Sequence, residues 1–137
     1  MSSETVVREL ERAVHKHSIL VKKCLLALKR ARKDRSAIEP ANKLLRRLAT
    51  TSRRIEAILR DRSAIEGLEG GARSDAELLL FYLVEASLNE ELEAWERALR
   101  LRRMGITVLD EDTIAGEIER VRRLRSEALN LFEKVKS

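Results

Sequence analysis

Aliphatic side chains recur at alternating spacings of three and four through most of this chain, and that rhythm dictates helix. Val7, Leu10, Val14, His17, Val21, Cys24, Leu28 and Ala31 follow it in the first segment. An α-helix turns once in about 3.6 residues, so such positions form one stripe, whereas a half-buried strand alternates by twos. A second seam runs Ala41, Leu44, Leu48, Thr51, Ile55, Ile58, Arg62, Ile65. A third runs Leu78, Phe81, Glu85, Leu88, Leu92, Trp95, Leu99, and a fourth Ile114, Ile118, Val121, Arg125, Ala128, Phe132, Val135. Leu45 and Leu59 widen the second stripe, which suits a globular bundle better than a bare two-stranded coil.

Gly and Pro are sparse, and the breaks fall near Asp34–Pro40, Gly67–Ser74 and Gly105–Asp110. Helices are therefore expected over about 4–35, 40–66, 75–104 and 110–136. Pro40 suits a first turn, Gly67 and Gly105 suit helix ends, and Ser74-Asp75-Ala76-Glu77 has the form of a capping box. Short connections make sequential helices antiparallel neighbours. The expected fold is all-α: one domain over 1–137, an antiparallel four-helix bundle with long coiled-coil-like helices. Asp34-Arg-Ser-Ala-Ile-Glu39 recurs as Asp61-Arg-Ser-Ala-Ile-Glu66, which reads as an old helix duplication.

With aromatics at 3%, the core must be aliphatic. The single cysteine, Cys24, cannot form an internal disulfide and points to a reducing, cytoplasmic setting. At its seam position it reads as a core thiol rather than a nucleophile. The longest apolar run, Leu78 to Val84, is far short of the roughly 20 residues a membrane helix needs. No integral membrane segment is expected, and the charged start shows no signal-peptide core. Abundant Arg with scarce Asn and Met and no Gln suits a thermophile, although a GC-rich genome raises Arg too.

Charge divides the chain in two. Residues 1–66 hold 17 Lys and Arg against 8 acids, a net of +9, and residues 67–137 hold 11 against 15, a net of −4. In the first helix Lys16, Lys23 and Arg30 recur every seven residues beside Lys22 and Lys29. In the second, Arg46, Arg53 and Arg60 do the same beside Arg47 and Arg54. Heptad spacing turns such residues into stripes, and these ten are candidates for binding a polyanion. Residues 1–66 contain no Phe, Tyr or Trp, so nucleic acid would be gripped by its phosphates rather than by stacked bases. The basic helices also offer no obvious apolar wedge for a membrane surface.

Three polar residues interrupt the seams mid-helix: His17, Glu85 and Arg125. In an up-down-up-down bundle they would share one layer, where Glu85 and Arg125 could form an ion pair. Leu78 to Val84 is apolar on every side, which makes Leu79, Leu80, Tyr82 and Leu83 candidates for a homodimer or partner interface.

Catalytic chemistry is harder to find. His15 and His17 lie two apart and face different sides of a helix, and no Glu-x-x-His occurs. No metal or cofactor is expected. Arg12-Ala-Val-His-Lys-His17 has an Arg-x4-His spacing that resembles the motif of the HEPN all-α ribonucleases, over six residues and with Ala13 where that family carries a polar residue. The resemblance implies RNA cleavage with Arg12 and His17 acting on the transition state. The residues themselves point first to a non-enzymatic helical interaction or assembly protein with a protein partner or homodimer, and second to backbone-directed nucleic-acid binding.

Overall fold

The computed structural model describes residues 2–136, and among them no strand occurs. The helices are α1 (Ser3–Ala31), α2 (Ile38–Arg60), α3 (Arg62–Glu66), α4 (Gly70–Tyr82), α5 (Leu88–Arg103) and α6 (Glu111–Val135). A 3-10 turn, Arg35–Ala37, precedes α2, and a π-helical turn, Leu83–Ser87, joins α4 to α5 without a break.

Local chemistry explains most of the ends. The Ser2 hydroxyl accepts the Thr5 backbone N–H at 3.2 Å and caps α1. Asp110 caps α6, accepting the Thr113 hydroxyl at 2.6 Å and its N–H at 3.2 Å. Those bonds, the hydroxyl's first, hold the Asp110 carboxyl below its ordinary pKa. Gly105 follows α5 at φ +86, a conformation that only Gly adopts freely. Both copies of the six-residue repeat begin a helical turn, with Asp34 and Asp61 each accepting a hydroxyl two residues on, from Ser36 at 2.8 Å and Ser63 at 3.4 Å. The repeated hexapeptide is a helix-start signal used twice.

Several sequence expectations need correction. The first helix ends at Ala31, not near 35, because Asp34 starts the next turn. The second is split at Asp61, whose φ −81 and ψ 66 leave helical space. The third begins at Gly70, so Ser74 sits inside it and bonds the Gly70 carbonyl at 3.4 Å instead of capping. Arg73, in the first turn of α4, clamps the opposite chain end, donating to the Val135 and Lys134 carbonyls at 2.9 Å each.

The packing order also departs from simple succession. α1 lies against α2 and along α4 and α5, while α6 lies along α4 and α5 and meets α2 by a narrower contact. The link from α2 to α4 therefore crosses the end of the assembly, and α3 within it touches both α1 and α6. Clefts show which ends meet. Val6 and Glu9 of α1 face Arg54 and Ile58 of α2, and Leu28 and Arg32 near the end of α1 face Arg100 and Leu101 of α5. The interior is aliphatic apart from Trp95, with Leu10, Leu45, Ile55, Leu80, Leu88 and Ile114 among its fully buried side chains.

The π turn moves the third seam. From α4 through α5 the buried positions include Ala76, Leu80, Leu83, Ser87, Glu91, Ala94, Ala98 and Leu101. Two successive steps of four, Leu83 to Ser87 to Glu91, mark the extra residue that a π turn absorbs. Leu78, Phe81 and Glu85, expected inside, are consequently exposed, while Ser87 and Glu91 turn inward.

Candidate functional site

At mid-height the core is polar. Glu91 on α5 is fully buried, and its carboxylate gathers donors from α1, α2, α5 and α6. His17 Nε2 bonds Oε1 at 2.7 Å; the Ser52 hydroxyl and Trp95 Nε1–H each donate to Oε2 at 2.9 Å. Arg120 of α6 stands 3.8 Å from the same oxygen and donates to Ser52 Oγ at 2.8 Å. The guanidinium also grips Glu117, with Nε donating to Oε2 at 2.8 Å. Glu117 in turn accepts from Arg53, whose half-exposed side chain carries the network out to solvent. Burying charge without partners is costly, and here each carboxylate has several. Within this network Arg120 Nη1 has no hydrogen-bond partner among the described residues and lies 3.9 Å from Glu56 Oε2.

The other ring nitrogen of His17, Nδ1, meets the Ser87 hydroxyl. With Glu91 ionised, Nε2 carries the proton toward it and Nδ1 accepts from Ser87. Ser87, His17 and Glu91 thus stand in the order of a hydrolase's nucleophile, base and orienting acid. All three side chains are wholly excluded from solvent, however, and a nucleophile must meet its substrate. Here the arrangement ties α1 to the π turn and to α5.

Of the three residues expected to form a polar layer, only His17 does so. Glu85 is exposed, carried outward by the phase of α4 and the π turn. Arg125 is half-buried, and its Nε donates to the Val84 carbonyl within the π turn at 3.1 Å. No Glu85–Arg125 ion pair forms among the described residues. The true partners of His17 escaped the sequence reading because Ser87 and Glu91 fall outside a seam anchored on Leu78. The signal was the polar pair Ser87 and Glu91 at a spacing of four, in line with Leu83 and Trp95 at the same step.

Arg12 is exposed while His17 is interior, so the two ends of the Arg-x4-His spacing do not meet at a solvent-accessible point. Cys24 is fully buried, and its thiol is pushed up to about 12, first by desolvation and then by the Glu91 carboxylate, against a lowering by Arg47. Among the described residues, no group of three or more His, Cys, Asp or Glu could hold a metal ion, and no helix is long and apolar enough to cross a membrane.

The ten basic candidates are all exposed, but they are not alike. Arg46, Arg53 and Arg60 face carboxylates: Arg46 lies 3.7 Å from Glu39, Arg60 lies 3.0 Å from Glu56, and Arg53 pairs with Glu117. Lys16, Lys22, Lys23, Lys29, Arg30, Arg47 and Arg54 have no ion pair among the described residues. Glu9 and Arg54 line the cleft between α1 and α2; Lys16, Lys23 and Arg30 follow Glu9 at successive sevens, and Arg47 precedes Arg54 by seven.

The interface candidates separate in the same way. Leu80 and Leu83 are buried in the chain's own core and cannot face a partner, because the helix turns that side inward. Leu79 is half-buried and Tyr82 is exposed. The outward apolar surface is formed by Leu78 and Phe81 beside Tyr82, and Phe81 packs on Phe132 of α6 with ring centroids 5.8 Å apart. Leu129, one turn before Phe132, extends it.

No protein-family model, no curated protein and no solved structure matches this chain.

Proposed function

We propose that this protein is a non-enzymatic interaction and assembly module, an antiparallel four-helix bundle whose α4–α6 surface docks a protein partner. The bundle reading is supported by the helix ends that meet and by a polar layer drawing on α1, α2, α5 and α6. The docking reading rests on one observation. Leu78 and Phe81 are 66% and 51% exposed, and they adjoin Tyr82, Leu129 and Phe132 in one apolar surface. Contiguous apolar surface of this kind marks sites of association rather than scattered exposure. A photo-crosslinking residue at position 78, in cells, should yield a defined protein adduct that Phe81→Glu removes. The same label at position 112, on an exposed polar turn, should yield none. Equal labelling at both positions would reject the reading.

A second reading, backbone-directed polyanion binding, is favoured by the seven exposed cations of α1 and α2 that have no ion pair among the described residues. Retention on DNA or RNA should fall steeply as salt rises. Changing Lys23, Arg47 and Arg54 to Glu should abolish it, while the same change at Arg46, Arg53 and Arg60 should cost less, because those three already face carboxylates. Retention indifferent to the first set would end this reading.

A further inference from the structure

The α4–α6 surface has a counterpart on the same chain. Ile19 and Leu26 are 45% and 51% exposed and lie on the side of α1 turned away from the core. Seven residues separate them, so they form a short apolar ridge of about 10 Å. Nothing in the periodicity of the basic helices marks such a ridge; it is visible only once the core-facing side is fixed. Lys22 and Lys23 sit between the two, with Lys16, Lys29 and Arg30 around them, none in an ion pair among the described residues. From Arg12 to Lys33 the chain carries eight cations and no acid.

The opposite holds around Leu78 and Phe81. From Asp75 to Glu85 there are three acids and no base. Glu85 lies four residues after Phe81, on the next turn, and Asp75 three before Leu78; both are exposed and without an ion pair among the described residues, and Asp75 also lines a cleft with Arg8 and Arg12 of α1. The bases beside this surface are already engaged: Arg125 donates to the Val84 carbonyl, and Lys136, 6.0 Å from the Phe132 ring, pairs with Glu133 at 2.7 Å.

We infer that the occupant of the α4–α6 surface is the outer face of α1 from a second copy of this chain. The inference rests on the docking role proposed for that surface. Apolar ridge meets apolar ridge, and a ring of lysines meets Asp75 and Glu85. Pairing either face with its own copy would instead set like charges opposite one another, which is unfavourable. Within one molecule the two cannot meet, since α1 packs on α4 and α5 through its other side. The contact joins unlike faces, so it propagates as an open chain or closes as a ring.

Analytical ultracentrifugation of the full chain over a concentration series tests this, with circular dichroism to confirm helicity. The wild type should form species larger than a monomer, and high salt should dissociate them, because the rings of charge are at the surface. Ile19→Glu with Leu26→Glu should give a monomer, as should Leu78→Lys with Phe81→Lys. Mixed, the two variants should form a one-to-one pair and grow no further, since each keeps the face the other lacks. A wild type that is monomeric throughout, a self-associating Ile19→Glu/Leu26→Glu protein, or a mixture that fails to pair would overturn the inference. An adduct to a different protein at position 78, found alongside a monomeric wild type, would leave the docking surface standing and remove only the second copy as its occupant.

Discussion

Arg120 and Arg54 are the same residue type on helices of similar amphipathic pattern, yet one is enclosed in the centre and the other is exposed with no ion pair among the described residues. Around Arg120 the interior supplies Glu117, Ser52 and the nearby Glu91 and Glu56. Arg54 is exposed and lines a cleft with Glu9 and Asp61, but it pairs with neither among the described residues. The interior layer is built so that nothing charged is left alone, because an unpaired buried ion is heavily penalised. The α1–α2 face leaves its cations alone because water satisfies them at little cost. The first arrangement fixes which helices pack together and in which register. The second stores electrostatic attraction for something outside the chain.

The difference can be broken at its strongest point. Glu91→Ala should cost about 3–5 kcal/mol in urea denaturation, because Arg120, His17, Ser52 and Trp95 lose their shared acceptor. A loss below about 1 kcal/mol would mean that the layer adds little to the fold. Ser87→Ala should cost less, about 1–3 kcal/mol, by stranding one nitrogen of His17. Coupling sharpens the contrast: a double-mutant cycle on Glu91 and Arg120 should give about 0.5–3 kcal/mol, whereas Glu85 with Arg125 should give nothing measurable. Smallest of all, Arg54→Gln should change stability by less than about 0.5 kcal/mol, with any larger loss pointing to a partner within the fold.

Cys24 reports on the same interior. Its thiol should resist alkylation in the native protein and react only on unfolding. An unfolded thiol ionises near 9.0 and the folded one near 12, so the linkage has a definite sign. The folded state binds the proton more tightly, and stability should decline as pH rises from 9.0 toward 12. Rapid native-state modification at neutral pH would contradict the burial.

How much of this was legible beforehand differs from helix to helix. In α1 the spacing of Val7, Leu10, Val14, His17, Val21, Cys24 and Leu28 named the buried face correctly, His17 included, because nothing interrupts the helical period there. In the third seam the same reasoning chose Leu78, Phe81 and Glu85, and all three are exposed. A run apolar from Leu78 to Val84 offers several phases of similar hydrophobicity, and the π turn then shifts whichever phase is chosen. The basic residues were identified as exposed but could not be sorted, since their carboxylate partners, notably Glu117, come from a helix distant in sequence.

Local periodicity by itself settled that this chain is helical, where its helices approximately lie, and that its two halves carry opposite charge. Those properties depend on neighbours within a few residues, where backbone geometry is nearly fixed. Tertiary structure decided which polar side chains share the centre, which cations stay unpaired and which apolar residues face outward. Each of those outcomes turns on helix phase and on groups tens of residues away, and one extra residue in a single turn is enough to change them.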